Sequence, residues 1–469
     1  MAGTTPLRLV FYGDDFTGST DALEVLAFAG LRCALFLKPP TVETLDALGP
    51  FDAIGVAGDS RSMSPAEMEQ RLPQVLSALA ALPVPLVHYK VCSTFDSAPT
   101  VGSIGTVMDL ARVAFGDGPI PIVAGTPALG RYCVFGNLFA RSGTDGLVYR
   151  LDRHPIMSRH PVTPMAEGDL ALHLAAQTRQ AVARFTLPIY QAGRAAMDAE
   201  LSRISADAPA GILFDGSSPE HMTELGRLLE RLCRDRTRPL FSVGSSGLEY
   251  AMTQWWREAG WPAPMDTTAY ETFDAVPQVL AVSGSASPLS SMQIDAAIEH
   301  GFVDVAVNAR ELVAGPEWEA ELARLVSMAL AALREGRSVM VHTARGPADD
   351  RIAAVTSALV AQGMNEATAK HAGGRLLAQR LGRVVETVLR EVPIQRLLLS
   401  GGDTSSHVTQ HLAPDALMVV ARLAPGAPLC RAISIQPHLQ SLQIALKGGQ
   451  MGQPDYFVKA LRGTSAQAT

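Results

Sequence analysis

The chain has 469 residues, 47% of them hydrophobic and 18% charged, and a formal net charge of −7. That length is too great for one ordinary core and predicts two or three domains, while the negative charge removes the electrostatic case for a nucleic-acid partner. No apolar run reaches the roughly 18 residues of a membrane span, and the five scattered cysteines, none in a CxxC pair, indicate neither a disulfide framework nor a metal site. Met1 to Pro6 lacks the charged and apolar regions of a signal peptide, so the expected location is cytoplasmic.

In chain order, Leu7 to Phe11 reads as a buried strand. Gly13, the paired carboxylates Asp14 and Asp15, and the turn Phe16-Thr17-Gly18-Ser19-Thr20-Asp21 follow it. An amphipathic helix then runs from Ala22 to Ala29, with Thr17 or Ser19 as its N-cap and Gly30 just past its end. A strand that turns sharply into a helix puts its loop at the carboxyl edge of a parallel sheet, where α/β proteins bind ligands. The helix N-terminus there suits an anion, and the aspartates suit a hydroxyl or a cation.

The pattern repeats. Ala53 to Ala57 is a strand ending in Gly58-Asp59-Ser60-Arg61, and Ser64 to Glu67 opens a helix as a capping box. Pro85 to Tyr89 is a strand ending in Lys90-Val91-Cys92-Ser93-Thr94-Phe95-Asp96-Ser97, followed by a helix over 102–114, and Pro121 to Ala124 is a fourth strand. Strand, polar loop and helix in alternation mean βαβ units and a mainly parallel sheet, with all the strand ends on one edge. Asp14, Asp15, Asp59, Ser60, Arg61, Lys90, Ser93 and Thr94 are therefore expected to converge.

Residues 130–164 break the rhythm and read as a long excursion, a lid or a subunit contact. Its His154 and His160 lack a carboxylate or cysteine at metal-ligand spacing. Gly211 to Phe214 and Arg238 to Val243 resume the alternation. The polar stretch 261–277 is the expected linker between a first domain (1–260) and a second (278–469).

The second half begins a new α/β unit. Strands at 279–282, 396–399 and 442–446 end in Ser283-Gly284-Ser285-Ala286-Ser287, Ser400-Gly401-Gly402-Asp403-Thr404 and Lys447-Gly448-Gly449-Gln450-Met451-Gly452. Glycine loops let backbone N–H groups approach phosphates without Cβ interference, and three in one domain point to a polyphosphate. The spacing matches neither a P-loop nor a dinucleotide fingerprint, which argues against an NAD(P)-dependent oxidoreductase. A carboxylate-rich domain followed by a phosphate-cradling domain outlines a small-molecule kinase.

Taken together, the motifs resemble the four-carbon acid sugar kinase family. The likeness rests on Asp14-Asp15-Phe16-Thr17-Gly18, Asp59-Ser60-Arg61, Lys90 with Ser93-Thr94, and the three glycine loops, and it spans nearly the whole chain. It implies two α/β domains, each a mainly parallel sheet flanked by helices, with the active site in the cleft between them. It implies ATP and Mg²⁺ as cofactors, a small sugar acid as the substrate partner, and a homodimer. Asp15 would be the base or positioner of the acceptor hydroxyl, with Asp14 supporting it. Ser60, Arg61, Lys90, Ser93 and Thr94 would bind the sugar acid, Arg61 and Lys90 through its carboxylate. Ser283, Ser285, Gly401, Gly402, Asp403, Thr404, Gly448 and Gly449 would line the nucleotide. Two positions depart from the family pattern, where an aspartate and an arginine are usual: Cys92 and Asp96. The loss of an arginine removes a bidentate carboxylate partner and should alter which acid is bound, 3-oxo-isoapionate being as consistent as threonate, erythronate or 3-oxo-tetronate. A non-catalytic sugar-acid binding protein is the alternative reading.

Overall fold

The computed structural model describes residues 7–143, 146–160, 162–234, 236–261 and 270–464, and the chain falls into two compact units that divide between residues 265 and 266. Residues 262–269, half of the expected linker, lie outside the described residues. Residues 270–277 of that stretch belong to the second unit. Phe273 and Val276 are buried in its core, Val276 N–H donates to the Leu461 carbonyl at 3.0 Å, and Thr464 N–H donates to that of Phe273 at 2.9 Å.

The first unit holds β1 (Leu9–Gly13), β2 (Cys33–Phe36), β3 (Ala53–Ala57), β4 (Leu86–Lys90) and β5 (Ile120–Val123). Then come β6 (Arg131–Val134), β7 (Asn137–Arg141), β8 (Val148–Arg150), β9 (Val182–Phe185), β10 (Gly211–Phe214) and β11 (Leu240–Gly244). Its main sheet has the order β2-β3-β1-β4-β11-β5-β10-β9, and every pairing is parallel. The central strands are mostly apolar and buried from end to end, as a sheet covered on both faces requires. The chain leaves β1 toward β2 and β3 but leaves β4 toward β5, so the topology reverses between β1 and β4. Ligands bind outside the carboxyl ends at such a point.

Strands β2 and β9, absent from the sequence-based expectation, are only four residues each. The irregular stretch 130–164 has regular structure of its own, an antiparallel sheet β6-β7-β8. Buried Asp215 anchors it by accepting N–H bonds from Phe135 (2.6 Å) and Gly136 (2.8 Å). The Nδ1 of His154 and of His160 accepts backbone N–H groups of its own turn.

The second unit holds β12 (Leu280–Ser283), β13 (Val303–Ala306), β14 (Val339–His342), β15 (Arg396–Ser400), β16 (Ala416–Ala424), β17 (Ala427–Ile433) and β18 (Gln443–Lys447). The order is β13-β14-β12-β15-β18-β17-β16. The first five are parallel, and an antiparallel hairpin, β16 and β17, completes the sheet. Here the topology reverses between β12 and β15, beside two of the glycine loops. No helix of the described residues is long and apolar enough to cross a membrane.

Candidate active site

At the end of β1 the chain makes its turn on Asp15, not on Thr17 or Ser19. Asp15 is the N-cap of the helix Phe16–Phe28, and its Oδ1 accepts the Gly18 N–H at 2.7 Å. Hydroxyls two or four residues further on lie inside the helix and cannot cap it: Ser19 Oγ donates instead to the Asp15 carbonyl at 2.7 Å. The helix thus starts at Phe16, six residues before the expected Ala22.

Asp14 is fixed from both neighbouring strands. Its N–H donates to the Lys90 carbonyl and its carbonyl accepts the Arg61 N–H, both at 2.9 Å. Arg61, in the single 3-10 turn after β3, then serves both carboxylates at once. Its Nε and Nη2 reach Asp14 at 3.0 and 2.7 Å, and its Nη1 and Nη2 reach Asp15 at 2.8 and 3.0 Å. Only a planar guanidinium fork can bridge two carboxylates in this way. Burial raises the Asp14 carboxyl above the ordinary range, with Arg61 pulling against it and Asp15 adding to it.

Lys90 is buried with its ammonium 3.5 Å from Asp21 Oδ2. Burial alone would lower its pKa, but Asp21, Asp15 and Asp14 together outweigh it and hold the ammonium above its usual range. Gly18 is required here by space. A Cβ on it would stand 2.5 Å from Asp15 Oδ1 and 3.0 Å from Lys90 Nζ. The cluster therefore holds three carboxylates and two cations at the point where the sheet topology reverses.

The loop after β4 carries a directional chain of bonds. Thr94 Oγ1 donates to Asp96 Oδ1 at 2.6 Å, so the Cys92 thiol, 3.0 Å from Thr94 Oγ1, donates to Thr94. Burial, with Asp96 adding, pushes the Cys92 thiol up to about 11, so it stays protonated at neutral pH. Phe95 bends the loop through φ 57° to bring Asp96 back under Thr94.

In the second unit the loops after β12, β15 and β18 lie side by side. Gly284 N–H donates to the Ser400 carbonyl and Gly401 N–H to that of Lys447, both at 2.9 Å. Gly401, at φ 106°, opens the helix Gly402–Leu412 without a side-chain cap, leaving the first N–H groups of that helix for a ligand. A Cβ at Gly284 would meet Thr404 Oγ1 at 1.9 Å, and one at Gly449 would meet Ser285 Oγ at 2.3 Å. The Ser283 and Ser400 hydroxyls are buried and unpartnered.

The family described as a sugar-binding N-terminal domain matches residues 9–252, and that described as a nucleotide-binding C-terminal domain matches 280–457. A relative named 3-oxo-isoapionate kinase, from Paraburkholderia graminis, is 42% identical over 98% of this chain and 96% of its own. The chain belongs to the four-carbon acid sugar kinase family. A second family relative, a 3-oxo-tetronate kinase of Cupriavidus necator, is 29% identical over 98% of both chains. A Salmonella typhimurium LT2 protein of known crystal structure is similar across 97% of this chain and 99% of its own, with a TM-score of 0.74 at 25% identity.

Against the family motifs, the structure brings Asp14, Asp15, Arg61 and Lys90 together. Ser93 and Thr94 lie in the adjoining loop. The Ser60 hydroxyl is buried and pairs with Tyr89 Oη at 2.7 Å. Asp59 instead pairs with exposed Arg71 at 3.1 Å. Asp21 carries no assigned role in the motif pattern. Its pairing with Lys90 needs the knowledge that β4 lies beside β1.

Proposed function

We propose that the chain is an ATP-dependent kinase that phosphorylates a hydroxyl of a small sugar acid, with 3-oxo-isoapionate as the preferred acid and 3-oxo-tetronate, threonate and erythronate as the alternatives. One observation carries the reading: a single guanidinium holds two carboxylates ready beside a buried ammonium at the reversal point of the first sheet. The 42% identity to a relative named 3-oxo-isoapionate kinase supports the choice of acid.

The acceptor O–H gives its proton to Asp15, the half-exposed member of the pair, as its oxygen bonds the terminal phosphorus of ATP. The bond from that phosphorus to the bridging oxygen breaks, and ADP leaves. The free N–H groups at the start of the helix Gly402–Leu412 stabilise the charge spread over the transferring phosphoryl. Arg61 aligns Asp14 and Asp15 instead of meeting the substrate directly, since its N–H groups already face those carboxylates. Lys90, held by one longer contact, is the cation left for the substrate carboxylate.

The interlocked glycine loops and the unpartnered hydroxyls beneath them fit a nucleotide. Mg²⁺ carried by nucleotide phosphates needs only one or two protein carboxylates, and exposed Asp403 in the first turn of that helix would supply one. The ion would neutralise phosphate charge there.

Gly284→Ala is expected to weaken nucleotide binding about tenfold or more, because the added methyl must push the loop off Thr404. Nucleotide titration of the folded variant checks this; unchanged affinity would mean the loop does not touch the nucleotide. The function itself is tested by ADP formation over the four acids. Acid-dependent ADP release is the expected result. Tight binding of an acid without any turnover would favour the binding-protein alternative.

A further inference from the structure

Ser283, Ser400 and Lys447 occupy one register across three adjacent parallel strands, β12, β15 and β18. Side chains in register on neighbouring parallel strands share a face, about 4.8 Å apart. Two residues earlier in each strand, Ala281, Leu398 and Ala445 form the next row on that face and belong to a core with Ile294, Tyr456 and Phe457. The polar row therefore sits on top of an apolar core and directly beneath the glycine loops.

All three groups lack what burial normally demands. The residues are at most 1% exposed, and neither serine hydroxyl has a hydrogen-bond partner. The Lys447 ammonium has the Gly448 carbonyl at 3.3 Å and the rings of Tyr456 and Phe457 at 5.5 and 6.0 Å. Buried polar groups are nearly always satisfied, and buried lysines are nearly always paired. Three underpaired donors in a row call for an acceptor of high negative charge.

We propose that Lys447 is the buried counter-charge of the nucleotide's polyphosphate and takes up a proton when that polyphosphate settles over the glycine loops. This rests on the nucleotide reading of the second unit. Burial lowers the Lys447 ammonium to about 8, and no carboxylate offsets it. The titratable groups packed around it are Tyr456, from the helix Tyr456–Arg462, and beyond it Cys430 on β17. The Tyr456 phenol is raised by burial and neutral at working pH. Asp403, on the helix Gly402–Leu412, is exposed to solvent. A polyanion a few ångströms away in this apolar setting favours the charged ammonium strongly. Above pH 8 the free protein has lost that proton, so it must be drawn from solvent when nucleotide binds. Affinity then falls by up to tenfold per pH unit.

The test is calorimetry of a non-hydrolysable ATP analogue with Mg²⁺, in buffers of different ionisation enthalpy, near pH 7 and near pH 9. Phosphates titrate near pH 6 and contribute no proton at the higher value. The wild-type protein is expected to take up little at the lower pH and to approach one proton at the higher. Lys447→Met and Lys447→Gln should take up none, bind more weakly near pH 7, and resist heat at least as well without nucleotide, since a buried unpaired cation is gone. Nucleotide bound near pH 9 with no uptake, or equal uptake in the variants, overturns the proposal and leaves the nucleotide reading standing. Absence of nucleotide binding by the wild type at both pH values overturns both. Should the variants not fold, the wild-type proton count decides alone.

Discussion

Arg61→Ala is expected to abolish phosphoryl transfer and to cost about 3–5 kcal/mol of stability near neutral pH, the usual consequence of leaving a buried charge without its partner. Asp14 is 2% exposed and relies on two of the four Arg61 bonds. With Arg61 gone, only the weaker pull of Lys90 opposes burial and Asp15 at Asp14, and its already raised pKa rises further. The sign follows from linkage. A carboxylate whose folded pKa exceeds its unfolded value destabilises the fold when ionised, and that cost disappears as pH falls below the unfolded value near 3.9. The stability deficit of the variant should therefore be largest near pH 7 and shrink toward pH 4. Arg61→Lys should recover only part of either property, because an ammonium cannot fork across two carboxylates. Denaturant unfolding at the two pH values checks the prediction. A deficit below about 1 kcal/mol that does not change with pH would show that Arg61 is not the partner that keeps Asp14 ionised.

Asp15→Asn is expected to lower kcat by about 10²–10⁴, the range of a lost general base, while KM for the sugar acid moves far less. The substitution isolates the proton-accepting role. Asparagine caps helices about as well as aspartate, so the bond to the Gly18 N–H is kept and stability should change by less than about 1 kcal/mol. Steady-state kinetics with unfolding measurements separate the two effects. A large stability loss with kcat nearly intact would make Asp15 a capping residue and shift the base to another group.

The parts of the site that were legible in the sequence are those where backbone demands residue type. Gly18 has no room for a Cβ, and the glycine loops of the second unit interlock through Gly284 and Gly449. Such positions leave a mark in the chain itself. What was not legible depends on partners distant in sequence. Asp21 is one and a half turns into a helix, and its bond to Lys90 exists only because β4 pairs with β1. The pairing of the Ser60 hydroxyl with Tyr89, a residue of β4, is another. The capping role of Asp15 was hidden because two hydroxyl residues further along fit the same preference equally well. The strands were mostly readable from their apolar runs. The hairpin of β16 and β17 was overlooked, although Pro425-Gly426 between two apolar stretches is a turn signal, with Gly426 at φ 69°. The burial of Lys447 could not be read at all, since a lysine at a strand end more often extends its ammonium to water.

The most direct test of the account is single-turnover transfer of the terminal phosphoryl of labelled ATP to 3-oxo-isoapionate, followed in the wild-type protein and in Asp15→Asn. Label is expected in the sugar acid with the wild type, and transfer slowed about 10²-fold or more in the variant, with nucleotide binding unchanged. Label transferred at equal rates by both proteins would contradict it, as the carboxylate pair at the end of β1 would then take no part in the reaction.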